Sequence, residues 1–163
     1  MRSFLHLSSF QVYNVLLLVI FAIVVNPINE LLILYYSLYC IFHFLIIYLG
    51  IYHFRKSLYF IFFLYGLGLD LLWINEIGPH LLTFVSLLLI LQFFKKYIIN
   101  FNYLRIYFFL ILLQILMIFI EIFLTFILFS NPINSFFMIK LFVLSLVLSY
   151  PLFIIFSKID LIK

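Results

Sequence analysis

Hydrophobic residues in this chain fall into six long runs, Phe10 to Val25, Leu31 to Ile51, Leu58 to Ile74, Pro79 to Phe94, Ile106 to Phe129 and Phe136 to Phe156, with polar residues collected in the short gaps between them. A helix needs about 20 apolar residues, within a range of about 17–25, to cross the hydrocarbon core of a bilayer. The pattern therefore predicts an all-α integral membrane protein of about six transmembrane helices, forming one polytopic domain over residues 1–163. The first and fourth runs are short, so either the bilayer thins around them or their helices continue past the apolar limits. The first run is expected to remain as a helix, because its one upstream arginine, Arg2, is followed by no small-residue cleavage site.

The gaps carry turn chemistry. Asn26-Pro27-Ile28-Asn29 separates the first two runs and Asn131-Pro132-Ile133-Asn134 the last two, each beginning with the turn-initiating Asn-Pro pair. Recurrence of the tetrapeptide is read as repeated turn chemistry. Between the third and fourth runs, Asn75-Glu76-Ile77-Gly78-Pro79 predicts a tight reversal with Pro79 in the first turn of the next helix. The largest gap, about Lys95 to Arg105, is too short to hold a separate domain.

Composition strengthens this picture. Hydrophobic residues make up 69% of the chain and charged residues 9%, where a soluble domain averages about 45–50% and about 25%. Such a chain cannot clothe itself in polar surface, whereas in lipid an apolar exterior is what the surroundings require. The aromatic share of 23% accompanies abundant Ile, and is read as AT-rich coding bias. The lone Cys40 excludes a disulfide framework within the chain.

Charge then orients the helices. With six spans, Arg2, Arg55, Lys56, Lys95, Lys96, Arg105, Lys158 and Lys163 all fall on one side and Lys140 alone toward the other. Cytoplasmic loops retain lysine and arginine, so the basic side and both chain ends are expected in the cytoplasm. The net charge of +4 is thereby assigned to topology and anionic headgroups, and no nucleic-acid partner is expected.

Two acids lie inside the runs. An ionised side chain at the centre of a span costs about 2.5–3.5 kcal/mol on insertion scales, so Asp70 and Glu121 mark candidate functional surfaces. Gly66 and Asp70, four apart with Gly68 between, share a helix face on which a neighbouring helix could approach closely; a carboxylate reaching interfacial water is the simpler alternative. Glu121 lies about 12 Å from the outer end of the fifth helix. Gln114 and Thr125 share its face, forming a polar seam that reads equally as a buried strut or a transport element, and Lys140 is a candidate partner for either acid. Ser37, Cys40 and His43 on the second helix, and Ser145 and Ser149 on the sixth, are read as packing stripes.

Enzyme signatures are missing from the sequence. It contains no H-E-x-x-H or G-x-S-x-G. The nearest lookalike, the G-x-G-D of intramembrane aspartyl proteases, fails because Leu69 separates Gly68 from Asp70, and the other aspartate, Asp160, falls in the cytoplasmic tail. No catalytic residue, metal or cofactor is expected.

The segment Gly66-Leu67-Gly68-Leu69-Asp70-Leu71-Leu72, continuing through Gly78-Pro79-His80-Leu81-Leu82, resembles the signature of the bacterial rod shape-determining protein MreD family, roughly G-L-L-L-D-L-L-S-G-x-P-L-G-L-H-A-L. Gly66, Asp70, Gly78 and His80 match in register, while Ile74 and Glu76 replace the family's glycine and proline inside the turn. Length, charge pattern and motif position are similar as well. The resemblance implies a non-catalytic subunit of the cell-wall elongation machinery in the bacterial inner membrane. It would bind an MreC-like single-span protein and, through it, MreB, RodA and a class B penicillin-binding transpeptidase, with Gly66, Gly68, Asp70, Gly78 and His80 expected either to build the surface that holds that partner or to pack helices within the chain. The implied fold is similar to that of the substrate-binding subunits of energy-coupling-factor transporters. That likeness supplies the alternative function, a small-molecule-binding transporter subunit with Asp70, His80 and Glu121 in its pocket.

Overall fold

In the computed structural model, residues 9–25, 32–74, 78–98, 100–129 and 135–161 are described. The Asn-Pro-Ile-Asn turns, Asn75 to Ile77, Arg2 and Lys163 lie outside the described residues. All regular structure among the described residues is helical: α1 (Ser9–Val25), α2 (Leu32–Tyr52), α3 (Ser57–Leu69), α4 (Pro79–Ile98), α5 (Tyr103–Phe129) and α6 (Ser135–Leu161), with a π-helical turn, Asp70–Ile74, continuing α3. Each helix grows from one predicted apolar run. The fourth extends through Lys95 and Lys96, which occupy its last turn, where cations favour the negative end of the helix dipole.

Four segments are long and apolar enough to cross a membrane, Ile33–Tyr52, Pro79–Ile98, Tyr103–Phe129 and Met138–Asp160; Phe10–Val25 and Ser57–Leu72 are shorter apolar helices. The exterior is apolar all round. Leu18 on α1, Leu89 on α4, Leu112 on α5 and Val147 on α6 stand exposed, an arrangement that only lipid solvates well. The chain is a multi-pass membrane protein.

Helix α2 forms the axis of the bundle. Within the molecule it buries 61% of its candidate span, against 33%, 33% and 28% for α4, α5 and α6. Phe42 through Gly50 are buried without a break, which uses every face of the helix over more than two turns. Around it pack α1, α4, α5 and α6, while α3 lies outside against α4. Aromatic side chains tie the axis to its neighbours: Tyr13 donates a 3.0 Å hydrogen bond to the Phe156 carbonyl, and its ring meets those of Tyr48 and Phe156.

The antiparallel course brings Arg55, Lys56, Lys95, Lys96, Arg105 and Lys158 to one end. There Arg55 lies over the Phe10 ring, Lys95 over the Phe54 ring, and Tyr48 donates to Asp160 at 2.6 Å. His53 Nε2 lies 3.4 Å from the other oxygen of Asp160.

Candidate functional site

Gly78 to Leu81 open α4 and, like any helix start, present backbone N–H groups with no partner inside the helix. Gly78 is the N-cap, since its carbonyl accepts from Leu82 N–H at 3.0 Å, but it has no side chain to cap with. Pro79, at the first helical position, has no N–H to satisfy. The remaining donors all turn to Asp70. Its Oδ2 accepts from Gly78 N–H at 2.9 Å and Leu81 N–H at 3.0 Å, and its Oδ1 from His80 N–H at 3.0 Å. His80 Nδ1–H donates to Oδ1 as well, at 2.8 Å. Asp70 is thus a capping residue displaced eight positions upstream, its charge at the positive end of the α4 dipole. The π-helical turn, with its extra residue per turn, begins at this aspartate.

Gly66 makes the clamp sterically feasible. A Cβ there would stand 2.6 Å from the Leu81 Cα, 3.0 Å from its nitrogen and 3.2 Å from the His80 carbonyl oxygen, so the α3 backbone rests on the first turn of α4. Gly68 faces the Phe21 ring edge of α1, and Gly78 a methyl of Leu128 on α5. The face shared by Gly66 and Asp70 is therefore filled by this chain's own α4. Gly66→Ala should lower the thermal midpoint in mild detergent by an amount reflecting about 1–3 kcal/mol of overpacking. Gly68→Ala, which meets only the end of a side chain, should cost less. Equal midpoints for both variants and the wild type would show that α3 and α4 are not in backbone contact.

From His80 the polar contacts continue inward. Its Nε2 lies 3.5 Å from Tyr39 Oη, which donates at 2.5 Å to Glu121 Oε2, and Glu121 Oε1 lies 2.8 Å from His43 Nε2. His43 Nδ1 faces the Tyr39 carbonyl at 2.9 Å. A carbonyl only accepts, so Nδ1 carries a proton. One further proton is shared between His43 Nε2 and Glu121, and the pair is neutral overall on whichever side it rests. This is how a carboxylate survives inside the span without adding net charge to it. Asp70, His80, Tyr39, Glu121 and His43 are all at most 7% exposed, and they link the π-helical turn to α4, α2 and α5.

The seam on α5 faces α2. Gln114 Nε2 donates to the Cys40 carbonyl at 3.1 Å, next to the Glu121 contacts, whereas Thr125, half-buried, turns back to the Glu121 carbonyl of its own helix. Both oxygens of Glu121 are taken by α2, and Lys140 stands exposed on α6. Sequence reasoning missed Tyr39 and placed His43 in a packing stripe. Their i, i+4 spacing was the available signal, because it sets a phenol and an imidazole on one face of an otherwise apolar helix. Ser145 donates to Cys40 Sγ and Ser149 meets Tyr107 Oη, so the α6 stripe packs on α2 and α5. Among the described residues no three His, Cys, Asp or Glu side chains are grouped to hold a metal ion. No family model, curated protein or solved structure matches the chain, those of energy-coupling-factor subunits included.

Proposed function

We propose that this protein is a non-catalytic inner-membrane subunit of a bacterial cell-wall elongation machinery. It binds an MreC-like single-span partner and, with MreB, RodA and a class B penicillin-binding transpeptidase reached through that partner, supports lateral peptidoglycan synthesis. Six spans and cytoplasmic chain ends belong to the same reading, as does a likeness to energy-coupling-factor subunits.

The observation that carries it is where the MreD-like motif falls. Gly66, Asp70, Gly78 and His80, which match the family's positions in register, meet in one buried construction that fixes the α3–α4 hairpin. Each residue type has a mechanical reason to stand where it does, and both carboxylate oxygens are occupied from within. A rigid hairpin suits a subunit that holds partners in place. The alternative, a small-molecule-binding transporter subunit, would require Asp70, His80 and Glu121 to give up their contacts with Gly78, Leu81, Tyr39 and His43, and the one between Asp70 and His80, for contacts with a ligand.

Gentle detergent extraction of the tagged chain tests the proposal. A copurifying protein with one span and a large periplasmic part is the expected outcome. Recovery instead with an ATPase pair and a bound small molecule would replace the elongation reading by the transporter one.

A further inference from the structure

The basic end of the bundle holds a half-open cavity of about 260 Å³, walled by the ends of α2 and α4, the turn after α2, and the start of α5. Gly50, Leu91, Ile98 and Phe101 give it apolar walls, and Lys95 is the cation on its lining. The Lys95 ammonium is held 4.9 Å from the centre of the Phe54 ring, which lines the same space. Arg55, Lys56, Lys96, Arg105 and Lys158 share this end, where the one carboxylate among the described residues is Asp160. Tyr48 and His53 already engage that carboxylate. Among the described residues six cations, Lys95 included, thus stand against one carboxylate at this end, a field that favours an anion.

We propose that this cavity binds one anionic phospholipid from the leaflet that meets the basic end, with the headgroup phosphate on Lys95 and an acyl chain along Leu91, Ile98 and Phe101. The chemistry matches at both ends of the ligand. A phosphate supplies the missing counter-charge at the bilayer surface, where each nearby basic residue strengthens anionic-lipid binding. An acyl chain fills an apolar space that water would occupy at a cost. Phe54 holds the ammonium over its ring face, which limits the freedom Lys95 loses when the lipid arrives. The site lies at the opposite end of the molecule from the Asp70 clamp and stands independently of the elongation reading.

Native mass spectrometry of the full chain, released from nanodiscs of equimolar phosphatidylglycerol and phosphatidylcholine with identical acyl chains, tests this. The wild type should retain one phosphatidylglycerol in preference to phosphatidylcholine by about fivefold or more. Lys95→Gln should remove that preference and Lys95→Arg restore it, while Lys96→Gln, a neighbouring lysine off the cavity wall, should leave it intact. Equal losses in Lys95→Gln and Lys96→Gln would show diffuse attraction to the surface and overturn the site. Equal retention of the two lipids by the wild type, or retention of neither, would overturn it too.

Discussion

Asp70→Leu should remove most of the protein from the membrane fraction. The substitution takes away the acceptor of four hydrogen bonds, three from backbone N–H groups and one from the His80 ring, and puts a hydrocarbon side chain against them. A buried donor left without a partner costs about 1–3 kcal/mol. Even incomplete exposure of these four donors consumes much of the about 5–15 kcal/mol by which folded domains are stable. Relaxation cannot easily help, because Gly66 already rests on the backbone at Leu81. Asp70→Asn keeps one acceptor oxygen but turns an amide NH₂ toward other donors, so it should fall between the leucine variant and the wild type. Membrane abundance by immunoblot, with monomer survival after heating in mild detergent, gives the ranking. Wild-type abundance and heat resistance in Asp70→Leu would mean that the carboxylate does not cap α4.

The buried pair on α2 and α5 should behave as a coupled unit. Glu121→Leu takes the acceptor from Tyr39 Oη and the carboxylate from His43 Nε2, and His43→Leu takes the imidazole from a buried carboxylate. Breaking one side of a buried pair costs about 3–5 kcal/mol, whereas replacing both partners by apolar side chains is often neutral or stabilising. The double variant should therefore be more stable than either single one, recovering at least half of the loss, since Tyr39 Oη gives up Glu121 but still has His80 Nε2 at 3.5 Å. Unfolding in mixed micelles with increasing dodecyl sulfate, followed by circular dichroism, measures the cycle. Strictly additive losses would sink the pairing, since residues that do not interact add.

The hydropathy pattern foretells the helices because lipid and water sort the chain by the same property that hydropathy measures. Ends are less legible. The fourth apolar run stops at Phe94, yet α4 continues to Ile98. Near an interface, a lysine can stay in the helix while its head reaches water. Asp70 is conspicuous as a residue type, but its partners lie eight to eleven positions onward across a turn, and only the fold brings that backbone back to it. Glu121 shows the other limit. Opposite charge nominates Lys140 from sequence, whereas the structure gives its oxygens to Tyr39 and His43, because α2 forms the axis against which α5 packs. Which helix is central is decided by the packing of all six together, and a one-dimensional pattern does not encode it.

Synthesis order gives the displaced cap a further consequence. Ser57 to Ile74, the 13 residues of α3 and the five of the π-helical turn, rises about 27 Å at the helical 1.5 Å per residue, barely the thickness of a bilayer core. As the chain leaves the ribosome this marginal segment carries an aspartate whose donors have not yet been made. Its carboxylate meets the N–H groups of Gly78, His80 and Leu81 only after the next stretch emerges. Until then the segment is better kept in a polar setting than released sideways into lipid. Stable insertion of α3 is therefore expected to be completed together with α4, which brings the donors that satisfy the aspartate.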